Sequence, residues 1–146
     1  MNGAIPGKAV VAGEAEGKAL VTREPLSFWG GYDHTTGEII DRRHPLSGQM
    51  AAGRVLAIPF SRGSSTATAV LLEAIKSGHA PAAILTTGVD AFFALASIVA
   101  EEMYGQSIPI VALSEEDFGT LKTGEWVRVE AEGLIRRLNG DTDLRG

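Results

Sequence analysis

Arg54-Val55-Leu56-Ala57-Ile58-Pro59-Phe60, followed by Ser61-Arg62-Gly63-Ser64-Ser65-Thr66 and then by Ala67, Val70, Leu71, Ala74 and Ile75 at helical spacing, is the stretch that decides the fold. The first run is apolar and too short for a helix, so it reads as a buried strand. The serine-rich segment is a turn that opens a helix. Gly78 ends that helix, a frequent place for glycine. Ala82 to Leu85 then reads as a second buried strand. Phe92, Leu95, Ala96, Val99 and Met103 mark a second helix ending near Gly105, and Ile108 to Leu113 is a third strand. Strand, helix, strand, helix, strand implies parallel strands joined by right-handed crossovers.

Outward from this centre the pattern changes. Ala9-Val10-Val11 and Lys18-Ala19-Leu20-Val21 are short β-prone runs, with Gly13 and Gly17 available for turns. Trp126 to Glu130 and Leu134 to Leu138 alternate on either side of Glu132-Gly133, which is a hairpin signal. Ser114 with Asp117 resembles a capping box that starts one short helical turn. Glu24 to Gly53 follows neither period. It carries Gly30-Gly31, Gly37, Pro45, Gly48 and Gly53, with one short apolar pair, Ile39-Ile40. A connection this long inside a small domain is often functional. The expected fold is therefore mixed, α+β with an α/β centre: a layered β/β/α domain with a central βαβαβ and barrel-like flanking strands. We expect a single domain over residues 1–146, an ordered core over 7–138, and a frayed polar tail over 139–146.

Composition narrows the function classes. The chain has 146 residues, 45% of them hydrophobic, which is enough for a core. It carries 18 acidic and 13 basic residues, and Lys8, Lys18, Arg23, Arg54, Lys76 and Lys122 form no stripe, so a nucleic-acid partner is not expected. There is no cysteine, which excludes disulfides and any thiolate metal site within the chain. Met1 to Gly7 does not look like a signal peptide, and Ala91 to Ala100 is too short to span a bilayer. The expectation is a soluble cytoplasmic protein with no membrane partner.

The segment with most chemical content is Ser61 to Thr66. It joins the end of a buried strand to the start of a helix, where ligands of open α/β sheets bind. Free N–H groups and the helix dipole attract an anion there. Gly63 allows close backbone approach, Ser64, Ser65 and Thr66 offer hydroxyls, and Arg62 could pair a carboxylate or phosphate. Serine and threonine are equally the preferred helix caps, and pattern alone weighs an anion site and a plain cap evenly. The loop is not a Walker loop, because no lysine follows the glycine. An unassisted serine is a poor base and needs a helix terminus, a cation or a metal to stabilise its alkoxide.

Other residues carry less. Asp33, His34, Asp41 and His44 match no strong metal pattern, and we expect a solvated or partner-facing loop with no metal. Trp29 is either core or an anchor for another chain. His79 reads as part of a helix C-terminus. In Thr86-Thr87-Gly88-Val89-Asp90, Asp90 reads as the N-cap of the second helix, in a loop lying beside the serine loop. Glu101 and Glu102 read as solvated.

Taken in order, Pro25-Leu26-Ser27-Phe28-Trp29-Gly30-Gly31, Asp33, Thr36-Gly37, Ile39-Ile40-Asp41, His44, Arg62-Gly63-Ser64-Ser65 and Pro81-Ala82-Ala83-Ile84 resemble the swivel domain of aconitase X, from about Gly7 to Leu138. The resemblance implies a β/β/α domain similar to the mobile fourth domain of aconitase. It implies the small subunit of a hydro-lyase, inactive without a large catalytic subunit in a heterodimer or higher assembly. The iron–sulfur cluster would be held by cysteines of that partner, whose iron withdraws the leaving hydroxyl. By the same likeness Ser64 or Ser65 is the catalytic base, with Arg62, Gly63 and Thr66 around the substrate. One departure matters: in aconitase an arginine follows the paired serines, whereas here Thr66 follows and Arg62 precedes Gly63. The carboxylate-binding role therefore does not carry across by register. Gly-Ser-Ser alignment favours Ser64 as base, while position at the helix start favours Ser65. Among small hydroxy acids, cis-3-hydroxy-L-proline is the first expectation, since no basic cluster beyond Arg42, Arg43 and Arg62 suggests a phosphate site. Mevalonate 5-phosphate is the second. A non-catalytic swivelling module is the third.

Overall fold

Continuous apolar runs make strands when both faces of a sheet are covered. In the computed structural model, which describes residues 4–61 and 65–138 with only the backbone of Ser65 and Thr66, the three central runs become β4 (Val55–Ala57), β5 (Ala83–Thr87) and β6 (Ile110–Leu113). They are parallel, with Leu56 opposite Ile84 and Leu85 opposite Val111. Helices α1 (Ser65–Ser77) and α2 (Ala91–Tyr104) make the crossovers and pack on each other. Alternate residues then serve two cores. Leu56, Ile84 and Ile110 lie beneath the helices, while Val55, Ala57, Ala83, Leu85, Val111 and Leu113 face the opposite side. The expected βαβαβ centre is present.

The second core is covered by more sheet. β3 (Ala15–Val21) changes partner halfway: Ala15 to Lys18 pair antiparallel with β7 (Trp126–Val129), and Ala19 to Val21 pair parallel with β4. β8 (Ile135–Leu138) completes the hairpin expected around Gly133. The short α3 (Glu115–Phe118) closes one end, with Ser114 Oγ accepting the Asp117 N–H at 3.1 Å. β1 (Ala4–Ile5), a strand not read from the sequence, pairs with β8, and β2 (Lys8–Val11) pairs with β6. The strand order is β1-β8-β7-β3-β4-β5-β6-β2.

β1 and β2 stand at opposite ends of that order, yet only Pro6 and Gly7 separate them in the chain. A strand rise of about 3.3 Å per residue cannot bridge a flat eight-stranded sheet, so the sheet curls until its two ends meet. Glycines stand where they meet. A Cβ on Gly7 would lie 2.5 Å from the Gly133 carbonyl oxygen and 2.5 Å from Val111 Cγ1; Gly133, at φ +103°, is closed in turn by the Gly7 carbonyl. This curled sheet with helices on one side is the layered β/β/α arrangement expected.

Three expectations need correction. Gly17 does not make a turn but sits inside β3 opposite Val127. The solvated or partner-facing loop expected around Asp33, His34, Asp41 and His44 is instead partly core: Leu26, Phe28, Tyr32, Ile39, Leu46 and Ala51 pack beneath the helices and His44 is buried. Phe28 stacks on Tyr32 with centroids 4.7 Å apart and meets Phe93 edge-on at 5.2 Å. The core face of α2 also differs from the one its periodicity suggested. Phe93, Ala94, Ala96, Ser97 and Ala100 are buried, whereas Phe92, Leu95, Ile98 and Met103 are exposed. The helix is apolar nearly all round, so periodicity could not select a side. Burial of Ser97 is made tolerable by its hydroxyl, which donates to the Ile108 carbonyl at 2.6 Å and accepts the Ile108 N–H at 2.9 Å.

Candidate functional site

The carboxyl ends of β4 and β5 and the first turns of α1 and α2 converge at one edge of the sheet. This is where a parallel sheet offers a ligand crevice. Of the residues singled out for chemistry, Arg62, Gly63 and Ser64 lie outside the described residues. Ser65 opens α1 and Thr66 lies in its first turn, so the N–H groups of that turn have no intrahelical partner. Their side chains are likewise outside what is described.

Ser61 and the two strand ends beside it are tied together by hydrogen bonds. Ile58 N–H donates to the Leu85 carbonyl at 3.0 Å, extending the β4–β5 pairing past Ala57. Both the N–H and the hydroxyl of Thr87 donate to the Pro59 carbonyl, at 3.0 and 3.1 Å. Thr86 donates its hydroxyl to the Gly88 carbonyl at 2.6 Å and shapes the turn to α2. Asp90 caps α2 as expected, Oδ1 accepting from the Phe92 and Phe93 N–H groups at 3.0 and 3.1 Å. Its other oxygen does what the sequence did not disclose: Oδ2 accepts the Ser61 N–H at 2.7 Å and the Ser61 hydroxyl at 2.9 Å. A cap signal engages one oxygen of an aspartate, and nothing in the local pattern says where the other goes. From the opposite side, Leu26 forms a parallel bridge to Ser61. The long Trp29-bearing segment thus meets the base of the serine loop.

Beyond Leu26, a cleft of about 410 Å³ is lined by Glu24, Pro25, Ser27, Asp41, Arg43 and His44. His44 is buried, its Nδ1 accepting the Leu46 N–H at 3.1 Å and its Nε2 3.3 Å from the Glu24 carbonyl oxygen. Asp33 accepts the Thr35 hydroxyl at 2.6 Å and the Thr35 N–H at 2.9 Å, bonds that hold its carboxyl below the usual range. Both residues are thus engaged in turns. Among the described residues no three His, Cys, Asp or Glu side chains cluster to hold a metal. Burial pushes the Tyr32 phenol well above the ordinary tyrosine range, and its hydroxyl donates to the His79 carbonyl at 2.7 Å. His79 itself completes the end of α1, its N–H donating to the Ala74 carbonyl at 2.9 Å behind Gly78.

Trp29 is 67% exposed, beside the fully buried Phe28. Phe60, Val89 and Phe92, which flank Ser61 and Asp90 in sequence, are exposed too. Exposed apolar side chains thus flank Ser61 and Asp90, the two residues bonded to each other at this edge. No helix among the described residues is long and apolar enough to cross a membrane.

Comparison with known proteins agrees with this architecture. The family model of the aconitase X swivel domain matches residues 4–137. Cis-3-hydroxy-L-proline dehydratase of Pseudomonas aeruginosa is 51% identical over 128 residues, which are 88% of this chain and 22% of that protein. The chain likewise spans only 22% of the Hypocrea jecorina protein of the same name, at 41% identity. The phosphomevalonate dehydratase small subunit of Thermococcus gammatolerans is 38% identical, over 93% of this chain and 98% of that one. The crystal structure of Thermococcus kodakaraensis aconitase X in its holo form superposes with a TM-score of 0.83 at 34% identity, covering 94% of this chain and 99% of its counterpart. On sequence, on fold and on the length matched, this chain belongs to the aconitase X swivel domain family.

Proposed function

We propose that the chain is the small subunit of an aconitase X type hydro-lyase, and that it brings a serine loop to a site shared with a larger, iron–sulfur-bearing subunit. The observation that carries the reading is where the loop is anchored. Its described neighbours are Ser61, four residues beyond the end of β4, and Ser65, where α1 begins, on the carboxyl edge of a parallel sheet, with Ser61 bonded to Asp90 and bridged to Leu26 and Pro59 bonded to Thr87. N–H groups in the first turn of α1, which have no partner within the helix, and the positive end of its dipole favour an alkoxide or a substrate carboxylate there. In this reading the oxygen of Ser64 or Ser65 takes a proton from the carbon next to the one that loses its hydroxyl. Arg62, Gly63 and Thr66 frame the substrate.

An iron–sulfur cluster is not a fit for this chain's own residues. It has no cysteine, and the described residues gather no three-ligand group. The cluster in this proposal belongs to the large subunit. The exposed Phe60, Val89 and Phe92 beside Ser61 and Asp90, and the exposed Trp29, suit a chain that meets a second polypeptide.

Cis-3-hydroxy-L-proline is the substrate we favour, because identity is 51% to the bacterial protein of that name and 38% to the archaeal phosphomevalonate dehydratase small subunit. The second reading, mevalonate 5-phosphate, rests on the likeness to that phosphomevalonate dehydratase small subunit, 98% of which is matched. Co-expression with a larger cysteine-bearing chain, then assay of water loss from both compounds, separates the two. A stable complex that dehydrates neither compound, with loop serines that tolerate alanine, would leave a non-catalytic module as the better description.

A further inference from the structure

We propose that Asp90 is a positioning residue for the serine loop, acting as a strut between the start of α2 and Ser61, the residue from which the loop departs. The inference deepens the proposed function and rests on it. A helix cap needs one oxygen, and serine, threonine or asparagine would serve α2 as well. Asp90 uses two. Oδ1 serves α2, accepting at 3.0 and 3.1 Å, while Oδ2 reaches back across the sheet to Ser61, accepting its N–H at 2.7 Å and its hydroxyl at 2.9 Å. Asp90 is only 7% exposed, so water competes little for these bonds. Hydrogen bonds to a carboxylate are shorter and about twice as strong as neutral ones.

The strut itself is braced. The two hydrogen bonds from Thr87 to the Pro59 carbonyl fix the two strand ends together, and the Thr86 hydroxyl on Gly88 sets the turn that presents Asp90. Thr68 of α1 donates its hydroxyl to the Phe92 carbonyl at 3.2 Å, tying the two helix starts. Leu26 pairs with Ser61 from the other side. Ser61 is thereby held from two directions, one residue before Arg62. Such bracing matters for proton abstraction, because a misplacement of about 1 Å at a reacting group can cost about 100-fold in rate. Asp90 touches no substrate in this account; it works through Ser61.

The test separates the cap from the strut. Asp90→Ser keeps a hydroxyl that can cap α2 but removes the second oxygen from Ser61. Ser61→Ala leaves Asp90 and the cap untouched and deletes one strut bond, so it decides the matter should Asp90→Ser fold poorly. On the full chain, amide hydrogen exchange at Ser61 accelerates in Asp90→Ser while the α2 amides keep their protection. In the complex with the large subunit, Asp90→Ser lowers kcat by about 10–100-fold with KM within about threefold, and Ser61→Ala lowers kcat in the same direction by less. The proposal is overturned if Ser61 exchange is unchanged, or if both variants keep kcat within about twofold while Ser64→Ala or Ser65→Ala abolishes turnover. That last pattern spares the serine reading and removes only the strut. Full activity in both Ser64→Ala and Ser65→Ala would instead sink the serine reading and take the strut with it.

Discussion

Replacing Phe28 by alanine tests whether the long Glu24–Gly53 segment is part of the core or an appendage to it. Phe28 has no exposed surface, stacks on Tyr32 at 4.7 Å and meets Phe93 of α2 at 5.2 Å. Truncating a phenylalanine in such a setting costs about 3–5 kcal/mol through lost burial and the cavity left behind. The two aromatic pairs, each contributing about 0.5–1.5 kcal/mol, place this site in the upper half of that range. A domain of this size is stable by about 5–15 kcal/mol, so the loss is a large share of the total. The assay is urea unfolding of the isolated chain followed by circular dichroism, with Trp29→Ala as the neighbouring control. Trp29 is 67% exposed, and its truncation is expected to move stability by no more than about 0.5 kcal/mol. A Phe28→Ala loss below about 1 kcal/mol, similar to the control, would refute the reasoning, because a solvated loop behaves that way.

Other perturbations probe other parts of the account. Ser97→Ala leaves the Ile108 N–H and carbonyl without their partner in a buried place, and should cost about 1–3 kcal/mol in the same urea assay. Gly133→Ala puts a side chain at φ +103° against the Gly7 backbone, and a loss of about 1–3 kcal/mol is expected where the curled sheet closes. Tyr32 gives a pH signature. Its folded-state pKa is raised by burial, so its contribution is complete below the ordinary tyrosine value of 10.0 and is lost as pH rises beyond it. Unfolding free energy measured from pH 9 to 11.5, a window of about one to two units around that value, should fall less steeply in Tyr32→Phe than in the parent.

The sequence was most readable where one physical signal dominated. Apolar runs too short for helices, punctuated by Gly78 and Gly105, disclosed the parallel centre, and the alternation around Gly133 disclosed the hairpin. It was least readable where tertiary packing overrode local pattern. Phe92 and Phe93 are adjacent and equally apolar, yet Phe93 is buried and Phe92 is 38% exposed. Phe93 turns into the core beneath the helices, where it meets Phe28 edge-on, and Phe28 sits in a segment without period. Gly17 looked like a turn because glycine usually punctuates; here a Cβ would lie 2.9 Å from the Gly53 carbonyl oxygen, so glycine serves a close backbone approach within a strand. Asp90 was half legible. Its cap follows from its place before an apolar run, but its bond to Ser61 joins residues brought together only by the parallel pairing of β4 and β5.

Transfer of the substrate's carbon-bound proton is the event on which the functional account turns. It is measured most directly by the rate of carbon–deuterium cleavage in cis-3-hydroxy-L-proline labelled at the carbon next to the hydroxyl-bearing one, using the co-expressed two-subunit complex. With the parent chain the label is lost during turnover. A positioned general base contributes about 10²–10⁴-fold, so one of Ser64→Ala and Ser65→Ala should slow cleavage by that factor while the complex stays assembled. Cleavage at the parent rate in both variants would contradict the account.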